Sequence, residues 1–309
     1  MQEKTKVQYI PVGNEHAGRR LDNFIFYKFK YLPKSLVYRL LRQGEIRVNK
    51  KRRRPDYRLA PDDELRVAPI RSEIMPEKIK PSARLIKQLE TAPLFENDTI
   101  IIINKPAGVA VHSGSGIHCG LIEALRQIYD YAYLELAHRL DRDTSGCLIL
   151  AKKPSALREI HSLLQQGDIE KTYLALTLGH WRHQKNSVDI PLKKFILQSG
   201  ERMVKANPDG KAAKTIFYPL ENFAASSLVR IRLLTGRTHQ IRVHAQYAGH
   251  PLAGDKKYGD KAFNQISGKQ GLKRLFLHAH HLRFTLNNEQ IDVQYPLDNE
   301  LQQFINKLD

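Results

Sequence analysis

The chain has 309 residues, of which 41% are hydrophobic and 27% are charged, and this composition excludes a disordered or fibrous protein. Its 50 Lys and Arg residues outnumber 32 Asp and Glu residues, and the net charge of +18 indicates a polyanionic partner, nucleic acid before an anionic membrane. No apolar run approaches the ~18–20 residues of a membrane-spanning helix, and the N-terminal residues contain no signal-peptide core. We therefore expect a cytoplasmic protein that does not bind membranes, and its two cysteines fit a reducing compartment.

The first predicted module is small and spans residues 18–75. Apolar residues recur at helical spacing between Leu21 and Phe29, and a second helix is predicted from Pro33 to Gly44. Alternating apolar residues then predict short strands at residues 46–48 and 65–67. Two helices followed by short strands form a compact module.

This module contains much of the excess positive charge. Between Gly18 and Arg71 there are 16 Lys and Arg residues and only 6 Asp and Glu residues. Taken alone, a basic run such as KKRRR fits a solvated loop as well as a nucleic-acid contact. The basic helix residues beside it favour nucleic-acid binding. The predicted contact residues are Lys34, Arg39, Arg42, Lys50, Lys51 and Arg52.

The remainder of the chain is predicted to be a linker at residues 76–92 and a larger domain at residues 93–309. The linker is interrupted by prolines and leaves room for one short helix. In the larger domain, predicted strands often follow one another with short connections, without the regular strand-helix alternation of a doubly wound fold. We therefore predict an α+β domain with a large, mostly antiparallel sheet.

The sequence disfavours metal, nucleotide and protease sites in the larger domain. Two groups of possible metal ligands are His278, His280 and His281, and His112, His118 and Cys119. The first group lacks a carboxylate or cysteine at ligand spacing, and no HExxH or HxE pattern occurs, so we favour no metal. The SGSG stretch lacks the end of a phosphate-binding loop. DTSG differs from the turn of an aspartic protease and has no second copy.

The stretch HRLDRDTSG places Asp141 and Asp143 directly before an apolar strand. A carboxylate buried there needs a compensating cation, so the residues alone leave two interpretations open. Asp141 is either half of a structural ion pair or a catalytic carboxylate on a loop. A pair of glycosidase carboxylates is disfavoured, because Arg142 and the turn residues make their relative geometry irregular.

Five stretches resemble the motifs of the pseudouridine synthases that carry the His-Arg-Leu-Asp signature. Three of them occur in the family's order and spacing: HRLDRDTSG, KTYLAL and LLTGRTHQIRVH. The other two, NKPAGVAVHSG and AGHPLAGDKKYG, also match the family's pattern. The basic module, above all PKSLVYRLLRQGEIRVNKKR, resembles the S4 RNA-binding domain. The stretch ILQSGERMV is similar to the branch that acts on several uridines of 23S ribosomal RNA.

The resemblance implies a role for each residue at a matching position. Asp141 is implied as the catalytic carboxylate, acting at C1′ or C2′ of the ribose, and Arg237 as its ion-pair partner. Arg139 is implied to enter the RNA stack where the target nucleotide leaves. Tyr173 would stack on the flipped base, and Ile241 would form the dry floor of the pocket.

The same resemblance implies the partner and the absence of a cofactor. The substrate is expected to be 23S ribosomal RNA or a large-subunit assembly intermediate, and the isomerisation involves no redox change. A monomer is expected, because no coiled coil or large apolar stripe is visible. The rival interpretation is a catalytically idle RNA-binding or ribosome-assembly factor, which gives no reason for an intact HRLDRDTSG.

Overall fold

The computed structural model describes residues 7–29, 32, 34–69, 81–90, 93–113, 119–129, 131–197 and 201–308. The chain divides into two compact units, Met1–Lys80 and Pro81–Asp309. The first unit contains strand β1 (Gln8–Pro11), helices α1 (Leu21–Lys28) and α2 (Lys34–Gln43), and strands β2 (Ile46–Val48) and β3 (Glu64–Val67). Both predicted helices and both predicted strands are present, and Pro33 lies outside the described residues.

In the first unit, an antiparallel sheet of order β1-β3-β2 packs with the two helices around one apolar core. Leu21, Phe24 and Ile25 of α1 and Val37 of α2 are completely buried in this core. Strand β1 precedes the predicted start of the module at residue 18, and it pairs with β3.

The second unit contains eighteen described elements. They are α3 (Ala83–Leu89), β4 (Phe95–Glu96), β5 (Ile100–Lys105), α4 (Leu121–Ile128), β6 (Glu135–Leu136), β7 (Ser145–Ala151), α5 (Pro154–Gln166), β8 (Glu170–Leu178), β9 (Asn186–Asp189), β10 (Leu192–Ile196), β11 (Arg202–Ala206), β12 (Lys214–Phe223), β13 (Ser226–Leu233), α6 (Gln240–Tyr247), α7 (Lys261–Lys269), β14 (Leu277–Leu286), β15 (Glu289–Gln294) and α8 (Asn299–Ile305). Helix α3 falls within the segment predicted as a linker, and its Leu89 is buried in the core of this unit.

A ten-stranded sheet organises the second unit and confirms the predicted α+β class. Its main path runs β4-β5-β7-β14-β8-β13-β12-β9, with β15 beside β14 and β6 beside β7, and β10 and β11 form a separate hairpin. Every strand pair is antiparallel except β7 with β14. Strand β8 lies inside the sheet and is buried along most of its length, so it is a fixed position for a functional side chain.

Local sequence explains several element ends. Helix α5 begins with Pro154 and ends at Gly167, which adopts a left-handed conformation with φ of 86°. Asn287 and Asn288 both have positive φ, as a tight hairpin turn requires, and they connect β14 to β15.

Candidate active site

One cleft of the second unit, with a volume of about 550 Å³, collects residues from separate parts of the chain. Its walls come from the loop before β7, the turn between α5 and β8, strand β8, and the segment from the end of β13 into α6. All five site residues predicted in this unit line the cleft: Arg139, Asp141, Tyr173, Arg237 and Ile241. We refer to it as the Asp141 cleft.

The loop that carries Asp141 is held by backbone hydrogen bonds. The N–H of Thr144 donates to the carbonyl of Asp141 (3.2 Å), and the N–H of Gly108 donates to the carbonyl of Arg142 (2.8 Å). The side chain of Arg142 in turn donates a hydrogen bond from Nε to the carbonyl of Gly108 (3.1 Å). The Asp141 loop is therefore fastened to the turn that follows β5.

A buried lysine strengthens the same connection. The Lys105 side chain is completely buried and donates to the carbonyls of Pro106 (2.7 Å), Val109 (2.8 Å) and Arg142 (3.0 Å). Burial lowers the pKa of Lys105 to about 7. Three carbonyl acceptors, however, use all three N–H bonds of an ammonium group and favour the charged form. We therefore assign Lys105 as a cationic clamp on the loop rather than as a proton donor.

The glycine of the HRLDRDTSG stretch has a steric role. Gly146 pairs with Ala279 where β7 and β14 run parallel, and its φ is 109°. A Cβ atom on Gly146 would lie 2.2 Å from the carbonyl oxygen of Ala279. The close approach of the two strands, just beyond the Asp141 loop, therefore requires glycine.

The cation that faces Asp141 is Arg242, and the predicted pair of Asp141 with Arg237 is wrong. Nη1 of Arg242 lies 4.0 Å from Oδ2 of Asp141, whereas Arg237 is exposed and donates from Nε to the carbonyl of Ala212 (3.0 Å). Both arginines belong to the stretch LLTGRTHQIRVH, but only Arg242 lies within helix α6. The helix turns the side chain of Arg242 toward the interior, where it is 4% exposed.

Arg242 is itself fixed by a buried carboxylate. It donates from Nε and Nη2 to the two oxygens of Asp255, at 2.7 and 2.6 Å, and Asp255 is 1% exposed. Burial acts to raise the pKa of Asp255, but the Arg242 hydrogen bonds and charge outweigh it and the net pKa is lowered. Burial acts to lower the pKa of Arg242, and Asp255 reverses this to give a net rise. The third guanidinium nitrogen, Nη1, is left facing Asp141.

His239 approaches the same carboxylate from the turn before α6. Its Nε2 lies 3.8 Å from Oδ2 of Asp141, and its Nδ1 lies 2.8 Å from the hydroxyl of Tyr258. Burial lowers the pKa of His239 despite the nearby Asp141 charge, so the imidazole is neutral at neutral pH. The Tyr258 hydroxyl already accepts from the N–H of Val204 (3.0 Å), so we assign its proton to the bond with Nδ1. The imidazole proton is then on Nε2 and faces Asp141.

Tyr258→Phe should destabilise the protein by about 1–3 kcal/mol, because the buried N–H of Val204 loses its acceptor. Urea denaturation of purified protein measures this change. Tyr218→Phe is the matched control, since in the part of the chain that the structure describes its hydroxyl makes no hydrogen bond. Equal stability of the two variants would contradict the assigned network.

The walls beside Asp141 are aromatic and apolar. Tyr173 is 8% exposed and Ile241 is 4% exposed, and both belong to the main core while lining the cleft. Burial, followed by the Asp141 charge, raises the pKa of Tyr173, so its hydroxyl stays protonated at neutral pH. The first residue of the signature, His138, has a structural position, because its Nε2 accepts from the N–H of Ile149 (3.1 Å).

The arrangement has a clear chemical capacity. Asp141 is a half-buried carboxylate, with 18% of its side chain exposed, beside a permanent cation. Its contacts with His239 and Arg242 are longer than hydrogen bonds, so its oxygens keep lone pairs for a substrate. The carboxylate can act as a nucleophile or a base next to walls that accept a planar ring.

In the first group of candidate metal ligands, all three histidines have other partners. His278 Nδ1 lies 2.9 Å from the Ser145 hydroxyl, and His280 Nδ1 lies 2.7 Å from the carbonyl of Tyr295. His281 contacts a carboxylate oxygen of Asp292 at 2.7 Å. Of the second group, His118 lies outside the described residues. Within the described ranges, no group of three or more His, Cys, Asp or Glu residues is arranged to hold a metal ion.

In the first unit, the predicted nucleic-acid contacts form an exposed basic set. Arg39 and Arg42 project from α2, whereas Lys50, Lys51 and Arg52 follow β2, and all five are exposed. Lys34 is the first residue of α2, and its side chain lies outside the described part of the structure. No described helix is both long and apolar enough to cross a bilayer.

Comparison with known families gives two matches. A family model described as RNA pseudouridylate synthase matches residues 99–247, and an S4 domain model matches residues 19–65. The first range contains Asp141, Tyr173 and Arg242. Asp255 and Tyr258 lie beyond it.

Comparison with curated proteins gives relatives over nearly the whole chain. The chain is 47% identical over 312 residues to the ribosomal large subunit pseudouridine synthase C of Salmonella typhimurium, covering 99% of this chain and 98% of that protein. The protein of the same name from Escherichia coli K12 gives the same identity and coverage. That of Pasteurella multocida is 47% identical over 306 residues, covering 98% of this chain and 94% of that protein.

Solved structures with the same fold include two human proteins. Human RNA Pseudouridylate Synthase Domain Containing 4 aligns with a TM-score of 0.59 and 24% identity, covering 73% of this chain and 97% of that chain. Human RNA Pseudouridylate Synthase Domain Containing 1 aligns with a TM-score of 0.60 and 24% identity, covering 73% and 90%. These similarities establish the fold of the second unit.

Proposed function

The chain belongs to the RNA pseudouridine synthases, isomerases that act on RNA, and we propose that it converts specific uridines of 23S ribosomal RNA to pseudouridine. The observation that carries the proposal is the Asp141 cleft, where one available carboxylate lies beside Arg242 and Tyr173. The ribosomal large-subunit substrate named for the relatives supports the choice of RNA. A cytoplasmic location is part of the same proposal, because a large-subunit substrate would be met there.

The proposed reaction conserves the atoms of the uracil except for one exchanged hydrogen. The C1′–N1 bond breaks, the base turns, and a C1′–C5 bond forms. The C5 hydrogen leaves to solvent and N1 gains a proton. Asp141 starts the reaction either by attacking C1′ or by taking the proton from C2′. Uracil is a feasible leaving group because its negative charge spreads over the ring carbonyls.

The other cleft residues have roles in binding the flipped nucleotide. C1′ cannot be reached while the base is stacked, so the nucleotide must leave the helix at a cost of a few kcal/mol. We propose that Arg139, exposed at the rim of the cleft, fills the vacated position. Stacking on Tyr173 would offset the cost by roughly 1–3 kcal/mol, and Ile241 would keep the floor dry. Arg242, in place of Arg237, supplies the positive charge beside Asp141 and orients it.

Mapping the modified positions tests the proposed substrate. Unmodified 23S and 16S ribosomal RNA are incubated with the purified protein, and pseudouridines are located by primer extension after carbodiimide treatment. We expect stops at a few defined uridines of the 23S RNA and none in the 16S RNA. Stops confined to 16S RNA, or no stops in either, would reject the proposed substrate.

The first unit is proposed to anchor the RNA through its phosphates. Replacing its exposed basic set with Gln (Arg39, Arg42, Lys50, Lys51 and Arg52) should weaken binding, because fewer counterions are then released from the RNA. The slope of log affinity against log salt should fall by about 0.7–0.9 for each phosphate that is no longer neutralised. Filter binding at several salt concentrations measures both quantities. An unchanged slope would show that this unit does not contact the phosphates.

A further inference from the structure

The central sheet has a second, partly open face opposite the Asp141 cleft. Ile231 on β13 pairs directly with Tyr173 on β8, and both side chains are buried in the main core on the cleft side. Alternate residues of a strand point to opposite faces of a sheet. Arg230 and Arg232, which flank Ile231, therefore point away from the cleft, and both are exposed.

Neighbouring strands extend this second face with more basic and aromatic side chains. Arg232 pairs with Thr172 of β8, and His281 of β14 pairs with the same Thr172 on its other side, so the three share one face. Arg283 lies two residues beyond His281 on β14 and therefore points the same way. We call Tyr218, Arg230, Arg232, His281 and Arg283 the back-face surface.

The back-face surface contains two depressions, and one of them shares a lining residue with the Asp141 cleft. The two depressions, of about 410 and 390 Å³, share Glu170, Arg232 and Arg283. The first depression also contacts Gly167, the residue that ends α5, and Gly167 lines the Asp141 cleft as well. A long ligand in the cleft can therefore pass around the turn at Gly167 and reach the arginines without crossing the core.

The cations of the back-face surface are incompletely neutralised. Arg232 lies 3.8 Å from Glu170, and Arg283 lies 3.7 Å from Asp292, and both pairs are well exposed. Such long, solvated ion pairs are weak and give way to a stronger ligand. Arg230 instead lies over the ring of Tyr218, 5.2 Å from its centroid, and within the described residues it pairs with no carboxylate.

We propose that the back-face surface binds the phosphodiester backbone of a structured RNA whose target uridine occupies the Asp141 cleft. Three guanidinium groups suit this ligand, because each can form a bidentate pair with a phosphate. Thr172 and Gln294, which line the same depression, can donate to sugar or phosphate oxygens. The occupant follows from the proposed function, whereas the surface and its charge follow from the strand register.

Two RNAs and two matched variants test the proposal. The test variant is Arg230→Gln, Arg232→Gln and Arg283→Gln, and the control removes three exposed charges elsewhere, by Arg182→Gln, Lys185→Gln and Lys261→Gln. A ribosomal RNA domain of several hundred nucleotides is compared with a short stem-loop that carries one target uridine. For the long RNA, we expect the test variant to lose ~10-fold affinity and ~2 units of salt slope beyond the control. For the stem-loop, both variants should keep the wild-type rate of tritium release from C5.

The outcomes separate this proposal from the proposed function. Equal affinity and slope for test and control variants on the long RNA would reject the back-face surface, even if the enzyme is active. Absence of tritium release by the wild-type protein on both RNAs would reject the function, while the binding comparison would still decide the surface. Thermal unfolding of both variants verifies that the fold is intact. Replacing the same residues with lysine (Arg230→Lys, Arg232→Lys and Arg283→Lys) keeps the charge, so this variant should recover most of the wild-type salt slope.

Discussion

Asp141→Asn should lower the rate of pseudouridine formation by at least ~10³, the scale seen when a catalytic group is removed. The amide keeps the size of the side chain but cannot attack C1′ or remove a proton from C2′. RNA affinity should change little, because the proposed phosphate contacts come from Lys and Arg residues elsewhere. Single-turnover rates and filter binding on the same RNA measure the two effects separately.

Asp143→Asn is the matched control for this substitution. Asp143 is an exposed carboxylate of the same loop, two residues away, and it does not line the Asp141 cleft. Its replacement should leave the rate within about threefold of wild type, as for most surface changes. If Asp141→Asn reacted as fast as this control, Asp141 would be limited to a structural role. If it lost the fold instead, the ion-pair interpretation would be favoured.

Arg242→Met should have the largest effect on stability. Met preserves much of the length of the side chain but removes the two guanidinium donors of Asp255, at 2.7 and 2.6 Å in the wild type, and leaves this buried carboxylate with only backbone N–H donors. Breaking a buried ion pair in this way costs about 3–5 kcal/mol. The variant should also react slowly where it remains folded, because Asp141 loses its nearby cation. Urea denaturation measures the stability, and single-turnover kinetics below the unfolding transition measure the rate.

The pH dependence of the stability loss in Arg242→Met should identify Asp255 as its source. In the wild type the pKa of Asp255 is lowered, so its stabilising contribution is present above the unfolded pKa of about 3.9 and is lost as the pH falls. In the variant, burial without a cation raises the pKa of Asp255, and protonation then favours the folded state. The difference in unfolding free energy should therefore be large at pH 7 and shrink toward pH 4. A difference independent of pH would contradict this account.

Arg237→Met distinguishes the roles of the two arginines in the stretch LLTGRTHQIRVH. The side chain of Arg237 is exposed and, in the described structure, bonds only to a backbone carbonyl, so its replacement should change stability by no more than ~0.5 kcal/mol. The reaction rate at saturating RNA should remain near that of wild type. A large rate loss with Arg237→Met and none with Arg242→Met would restore the pairing predicted from sequence.

Sequence patterns could not predict which of Arg237 and Arg242 faces Asp141, and the reason is physical. Ile241, Val243 and Ala245 alternate with polar residues, as in a strand, although the segment forms helix α6. In a strand, Ile241 and Arg242 would point to opposite faces. In the helix they are about 100° apart, and both line the Asp141 cleft. The tertiary context, which buries residues 240–245 of α6, overrides the local alternation.

Elements with clear periodicity can be predicted from the sequence, whereas features governed by long-range contacts cannot. Strand β8 and helix α5 follow directly from their apolar patterns and from the glycine that ends the helix. Strand β12 contains Pro219 at a register shift, a residue that disfavours a strand assignment. The complete burial of Lys105 depends on three carbonyls that the fold brings together, and lysines are almost always exposed. Similarly, Asp255 lies in the recognised stretch AGHPLAGDKKYG, but its partner is 13 residues away.

The most direct test of the central claim is tritium release from ribosomal RNA that contains uridine labelled at C5. Isomerisation must free the C5 hydrogen, whereas binding alone leaves it in place. We predict that the purified protein releases tritium from unmodified 23S RNA, up to a plateau of a few equivalents per RNA molecule, and that Asp141→Asn does not on the same timescale. RNA bound tightly by the wild-type protein without release of tritium would contradict the account and indicate an RNA-binding factor without catalytic activity.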